Sequence, residues 1–455
     1  MAESAAARVA GCVGGAAVIL AAVIISGLPR LDAPFIQGDE QIFIAGNPDV
    51  TAPAGAGLGR WLGIFTHAHE DLYQPLTILT YAIEWHAWGE RRIAMMRLSD
   101  VLLHAANALL LWHVVAVLLR RLAGAAAAAA ITVGWIVAVA WAQHPMLVNA
   151  WAADMGRTHL LSATFMLLAL RLHLAALAEE GHATPSQPAA RARQRAAGWF
   201  AASALMLLLA MLNKPVVGYV LIAAALEAAL RGWRRTLVSA RVAVLALMCG
   251  FFAWLTLWTT RSSLLLEDSP LPLFGDPLSR ALTGLSLFLT NALLPGTWLS
   301  AWYPPDIHTG WSSAGTLGGA AAAVALLLLG GWAALQPRWR LAALGAAWFF
   351  ATWLPISGIV GARVAAGQDR YMYLPLAGLL LVFANAPGAA GGAWPRPARL
   401  RLTLAAALAG ALGLLAIAVN TSLAAAWRTT LGRATRAWEL NPDDPRVAEM
   451  LAAAY

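Results

Sequence analysis

Lysine is almost missing from this chain: Lys214 is the only one, and every other cationic side chain besides histidine is an arginine. Charge of either sign is scarce, at 12% of residues, where soluble domains carry about 25%. That shortage excludes an ordinary water-soluble domain. Cysteine is confined to Cys12 and Cys249, both inside apolar segments, which excludes a disulfide framework and a thiolate zinc centre. No glycine-rich nucleotide loop occurs, so nothing in the chain points to a nucleotide-linked substrate. The net charge of +8 comes from short arginine blocks between apolar runs, without interleaved aromatics. Such blocks set membrane topology rather than bind nucleic acid.

What remains is hydrocarbon. Sixty per cent of the 455 residues are hydrophobic and mean hydropathy is +0.65, which predicts an all-α polytopic membrane protein. Crossing the hydrocarbon core takes about 20 apolar residues. Runs of that kind fall near 10–27, 98–119, 125–143, 158–178, 198–213, 215–231, 242–260, 315–335, 341–360, 371–387 and 402–420, giving about eleven spans. No small-residue cleavage site follows the first run, which reads as an uncleaved signal anchor.

Arginines orient these runs. Arg120, Arg121, Arg191, Arg193, Arg195, Arg231, Arg234, Arg235 and Arg241 occupy alternate loops, and Arg338, Arg340, Arg396, Arg399 and Arg401 continue the series. By the positive-inside rule those loops are cytoplasmic, provided that the weakly apolar stretch 281–294 does not cross. The N-terminus is then inside and the C-terminus outside. The opposite face collects Asp39, Glu40, His67, His69, Glu70, Asp71, His144, Asp154, Arg157, Lys214, Asp369 and Arg370. Topology alone does not place acids, imidazoles and the single lysine together, and this asymmetry reads as a site. Two external stretches, 28–97 and 261–314, are long enough to be structured, and tryptophans within them suit interfacial anchoring.

Within that set, Gly38-Asp39-Glu40 is the leading feature. Two adjacent carboxylates just after the first span suit proton abstraction from a hydroxyl, metal binding, or both. His67-Ala68-His69-Glu70-Asp71 supplies metal-ligand residue types, although the spacing fits substrate contacts or plain solvation better. Asp39, Glu40, His67 and His69 are the metal candidates, with magnesium or manganese as the divalent cation considered. Asp154 and Arg157 flank an external turn, where they either pair or order a site. Lys214 and Arg370, at the ends of apolar runs, suit phosphate contacts, although snorkelling and a helix-end bridge to Asp369 explain them equally.

The ordered set Gly38-Asp39-Glu40, Asn47-Pro48, Tyr73-Gln74-Pro75-Leu76-Thr77, Leu103-His104-Ala105-x-Asn107, His144-Pro145, Gly156-Arg157, Asn213-Lys214, Trp302-Tyr303-Pro304 and Asp369-Arg370-Tyr371-Met372-Tyr373-Leu374-Pro375 resembles the transmembrane and tetratricopeptide-repeat O-mannosyltransferase-like proteins and their bacterial relatives. The resemblance runs from about residue 35 to the end. It implies the C-type glycosyltransferase architecture and inverting transfer of a sugar, mannose or a similar hexose, from a polyprenyl-phosphate carrier to a protein or glycan acceptor. Asp39 would then be the general base with Glu40 its partner, and Arg370, Lys214 and Arg157 would hold the donor phosphate. His69, Tyr73, His104, His144, Asp154, Asp369 and Tyr373 would order the site. The chain departs from the pattern at Glu40, where a second aspartate is common, at Gln74, where arginine is usual, and at Pro215, where glutamate is frequent.

Residues 1–421 thus read as a transmembrane glycosyltransferase-like domain, and 422–455 as a short external helical repeat offering a surface to a protein partner. Two rival readings follow from the same chain: a transporter or flippase of a lipid-linked substrate, and a non-catalytic scaffold. The Arg-for-Lys and Ala-rich composition suggests a GC-rich bacterium, hence an inner membrane with the site facing the periplasm.

Overall fold

The computed structural model describes residues 5–36, 38–52, 57–69, 72–152, 155–181, 189–260, 276–296, 299, 310–359, 368–385, 396–440, 442 and 445–455. Among these, all regular structure is helical. The main helices are α1 (Ala5–Gly27), α2 (Pro48–Thr51), α3 (Gly57–Gly63), α4 (Pro75–Ala87), α5 (Arg92–Leu122), α6 (Ala127–Ala142), α7 (Val148–Trp151), α8 (Arg157–Gly181), α9 (Ala189–Met211), α10 (Tyr219–Arg231), α11 (Trp233–Leu237) and α12 (Ala240–Thr259). They are followed by α13 (Pro277–Leu293), α14 (Ala314–Leu335), α15 (Arg340–Trp353), α16 (Pro375–Phe383), α17 (Arg396–Ala426), α18 (Thr430–Leu440) and α19 (Pro445–Ala454).

Helix starts follow local chemistry. Proline opens α2, α4, α13, α16 and α19, where its missing N–H is unneeded. Side-chain oxygens of Asn47, Ser239, Asp276 and Ser313 cap α2, α12, α13 and α14, satisfying donors that the first turn leaves open.

Each of the eleven apolar runs forms a helix, but the expectation of eleven spans is corrected. Among the described residues, seven helices are long and apolar enough to cross a membrane, or eight if the bent pair of α6 with Pro145–Trp151 counts as one broken span. The runs at 215–231, 341–360 and 371–387 are cut short by Pro215, Pro355 and Pro375. Their helices, α10, α15 and α16, have 13, 14 and 9 residues. At 1.5 Å per residue these span about 14–21 Å, less than the roughly 30 Å of hydrocarbon. Conversely, the weakly apolar stretch 281–294 belongs to α13, a 17-residue helix. It packs closely on α14: a Cβ at Gly319 would lie 1.8 Å from the Leu282 carbonyl oxygen.

One large core joins α5, α6, α8 and α10 with α15 and α16. A second, smaller core of Phe43, Ile44, Val50, Ile64, Ile78, Tyr81, Ala82, Met96 and Met155 holds the lobe between α1 and α5. The chain-terminal helices α18 and α19 pack together through Ala434, Ala437 and Val447. They join the bundle at Trp427, whose indole N–H donates to Asn149 Oδ1 at 3.0 Å.

Candidate functional site

The first connection leaves α1 through a turn ending at Arg30 and reverses at Gly38, whose φ of +119° lies in the region open to glycine. A wide π-type turn, Gln41–Ala45, follows. Local single-turn π geometry of this kind recurs at functional sites. Asp39 and Glu40 therefore stand on a sharply bent ledge, and their side chains diverge.

Glu40 is 0% exposed and clamped between two guanidiniums. Arg30 donates to it at 2.7 Å, Arg97 at 2.6 Å, and the Ile36 backbone N–H at 2.9 Å. Burial opposes its ionisation, but the Arg97 and Arg30 charges and these donors outweigh burial and hold the carboxyl below its usual range. A carboxylate so held is a poor base and offers no lone pair to a metal. The expectation that Glu40 shares catalysis or metal binding with Asp39 gives way to an anchoring position. Arg30 also donates to the Trp427 carbonyl and, at 2.9 Å, to that of Ala152, so the same knot ties the first loop to α7 and the C-terminal helices.

Asp39 is 41% exposed, and its Oδ2 lies 4.0 Å from Arg370 Nη2. That gap is too long for a hydrogen bond and fits an intervening water or ligand oxygen. Arg370 opens the turn Asp369–Tyr373 ahead of α16. Its guanidinium carbon lies 5.6 Å from the Tyr371 ring centre, and the Lys214 ammonium lies 4.3 Å from the same ring. Lys214 Nζ donates to His159 Nε2 at 3.1 Å, and the His159 ring packs on Tyr371 with centroids 5.5 Å apart. Among the described residues no carboxylate lies within 4.0 Å of Lys214. Burial and the Arg370 charge push its pKa well below the usual lysine value of 10.5.

Lys214, His159 and Tyr371 line a small groove of about 40 Å³ whose other walls include Val216, Ile356 and Leu374. It is cationic at one end and apolar along its sides. Its position depends on Gly218, where a Cβ would lie 1.7 Å from the Ala351 carbonyl oxygen. Only glycine lets the turn after Lys214 approach α15 so closely.

The other expected site residues are placed as follows. Arg157 is 1% exposed and donates to Asp100 at 2.6 Å, Glu84 at 2.8 Å and the Met96 carbonyl at 2.8 Å. Its donors serve the framework, not a phosphate. Tyr73 donates to the Phe65 carbonyl at 3.0 Å. His104 is buried, donating from Nε2 to the Ala142 carbonyl at 2.9 Å and accepting at Nδ1 from Tyr373 at 2.8 Å. Asn107 donates to the same Tyr373 oxygen at 3.2 Å, so His104 and Tyr373 brace α5 against the turn that carries Arg370. His144, at the break between α6 and α7, donates to the Ala292 carbonyl at 2.9 Å. Asp369 is buried and accepts from Asn291 at 3.1 Å. Asp154 lies outside the described residues.

His67 and His69 meet neither Asp39 nor Glu40: both direct Nε2 at Asp49 Oδ2, at 2.8 and 2.7 Å. Four participants were not singled out by sequence reasoning, namely Arg30, Arg97, His159 and Asp49, and Tyr371 appeared only inside a longer motif. Arg97 had a signal, an arginine one turn before Asp100 at the start of an apolar helix. His159 had a weaker one, lying two residues from Arg157. Asp49 had none, because its partners are 18 and 20 residues away.

The fold defines the class: an all-α, multi-pass membrane protein, with seven or eight helices among the described residues long and apolar enough to span. Comparison of the chain with protein-family models, with curated proteins and with solved structures gives no match.

Proposed function

We propose that this protein is an integral membrane glycosyltransferase of C-type architecture, moving a hexose, mannose or similar, from a polyprenyl-phosphate carrier to a hydroxyl acceptor on the periplasmic side of a bacterial inner membrane. The observation that carries the reading is the facing of Asp39 and Arg370 across 4.0 Å, with Arg370 and Lys214 both lying against the Tyr371 ring. A cationic end with apolar walls suits a phosphate on a lipid tail. A half-exposed carboxylate facing Arg370 suits a base that meets an acceptor from solvent.

In this scheme Asp39 takes the acceptor hydroxyl proton while that oxygen attacks the anomeric carbon. The bond from that carbon to the carrier phosphate breaks with inversion. Arg370 and Lys214 offset the charge that grows on the departing phosphate. Glu40, Arg30 and Arg97 hold the ledge on which Asp39 stands. The helical pair α18–α19, joined to the same ledge by the Arg30 bond to the Trp427 carbonyl, would present an acceptor or a protein partner. No step in this scheme requires a magnesium or manganese ion.

The test is sugar transfer from a short polyprenyl-phosphate mannose by the full chain in proteoliposomes, read by mass spectrometry of the acceptor fraction. The expected outcome is transfer by the native protein and at least a hundredfold loss in Asp39→Asn with an unchanged melting temperature. Full activity of that variant removes Asp39 from the chemistry and favours a transporter or a scaffold.

A further inference from the structure

We infer that Asp49, His67 and His69 form a zinc-class metal site on the lobe between α1 and α5, sharing no residue with the Asp39–Arg370 pair or the Lys214 groove. His67 and His69 are two apart on the bend that leads into the His69–Leu72 bridge. Both reach the same oxygen: Nε2 of each lies 2.7–2.8 Å from Asp49 Oδ2, and one donor atom from each of the three lies within 4.8 Å of the others. Their rings are 4.6 Å apart. In a tetrahedral site with metal–ligand bonds near 2.0–2.1 Å, donor atoms stand roughly 3.3 Å apart. The two contacts to Asp49 Oδ2 therefore need to widen by about half an ångström to reach that spacing.

The three ligands are carried on fixed backbone. Asn47 caps α2 by accepting from the Asp49 N–H at 2.9 Å, and Arg60 donates to the Asp49 carbonyl at 3.2 Å. His69 is pinned by a paired exchange with Leu72, at 3.0 and 2.9 Å. Val50 and Ile64, both 0% exposed, anchor the two sides of the cluster in the small core. The site is half open: His69 is buried, whereas His67 is 49% exposed, leaving coordination positions toward solvent. Two imidazoles and one carboxylate select zinc or a similar borderline ion over magnesium, which prefers all-oxygen surroundings. Bound there, the ion would staple α2 to the turn after α3.

The experiment uses the full chain purified without a polyhistidine tag, stripped with chelator and titrated with zinc against a chromophoric chelator. One tight zinc equivalent per chain is expected, undisturbed by millimolar magnesium. Cobalt(II) should give a visible absorption band typical of four- or five-coordination. His67→Gln, at an exposed position that the fold does not need, should weaken zinc at least tenfold. The pair His67→Ala/His69→Ala should abolish both signals, while His113→Ala, far along α5, leaves them intact. Absence of a zinc equivalent in the native chain, an unchanged affinity in His67→Gln, or equal competition by magnesium each overturns the assignment. The readout is independent of sugar transfer, so its failure and the failure of the proposed activity are separable.

Discussion

Replacing Glu40 by glutamine tests how two neighbouring carboxylates divide their work. The native side chain is fully enclosed and ion-paired with both Arg30 and Arg97. Removing its charge leaves two buried guanidiniums with a neutral amide between them. Breaking a buried ion pair from one side costs about 3–5 kcal/mol, because the remaining charge stays desolvated. Asp39→Asn, on a 41% exposed side chain, should fall within about 0.5 kcal/mol. Thermal unfolding of the two variants in detergent should separate them by several degrees, with Glu40→Gln the lower. The acid limb gives a second reading. Glu40 has a folded pKa below its ordinary 4.5, so its contribution is complete above that value and drains away as pH falls through the lowered one. The melting difference between the native chain and Glu40→Gln should therefore be full at pH 7 and shrink as pH falls below 4.5. Equal melting temperatures at pH 7, or an Asp39→Asn variant destabilised as much as Glu40→Gln, would refute the division.

Three further outcomes follow from the same geometry. Lys214 is pushed below the usual lysine range, and only its protonated form attracts a phosphate, so donor affinity should fall as pH rises well before 10.5, and Lys214→Arg should move that loss beyond the accessible range. Gly218→Ala sets a Cβ against the Ala351 carbonyl; separation of the Lys214 turn from α15 should reduce transfer more than tenfold and lower the melting temperature, both measurable on one preparation. Arg157→Met leaves Asp100 and Glu84 without their cation and should cost about 3–5 kcal/mol, read as a lowered melting temperature; a stable variant that has lost only donor affinity would return Arg157 to the phosphate site.

Much of this molecule is written in its composition and periodicity. Scarce charge and long Ala- and Leu-rich runs determine that the chain is helical and membrane-embedded, since only closed backbone hydrogen bonding is tolerated in hydrocarbon. The positions of Asp39, Lys214 and Arg370 at the ends of those runs were likewise legible, because an ionisable group avoids the apolar interior wherever it has no partner. Runs containing Pro215, Pro355 and Pro375 looked long enough to cross and are not, since hydropathy ignores the missing N–H that ends a helix.

Tertiary structure alone decided how neighbours in sequence divide. Asp39 and Glu40 are chemically similar and adjacent, yet the bend at Gly38 and the arrival of Arg97, 57 residues later, bury one and leave the other facing Arg370. His159 beside Lys214 and Asp49 beside two histidines are equally non-local. A sequence states which side chains can ionise. Which of them keeps water, which is matched by an opposite charge, and which meets another imidazole depends on distances between helices that no local pattern encodes.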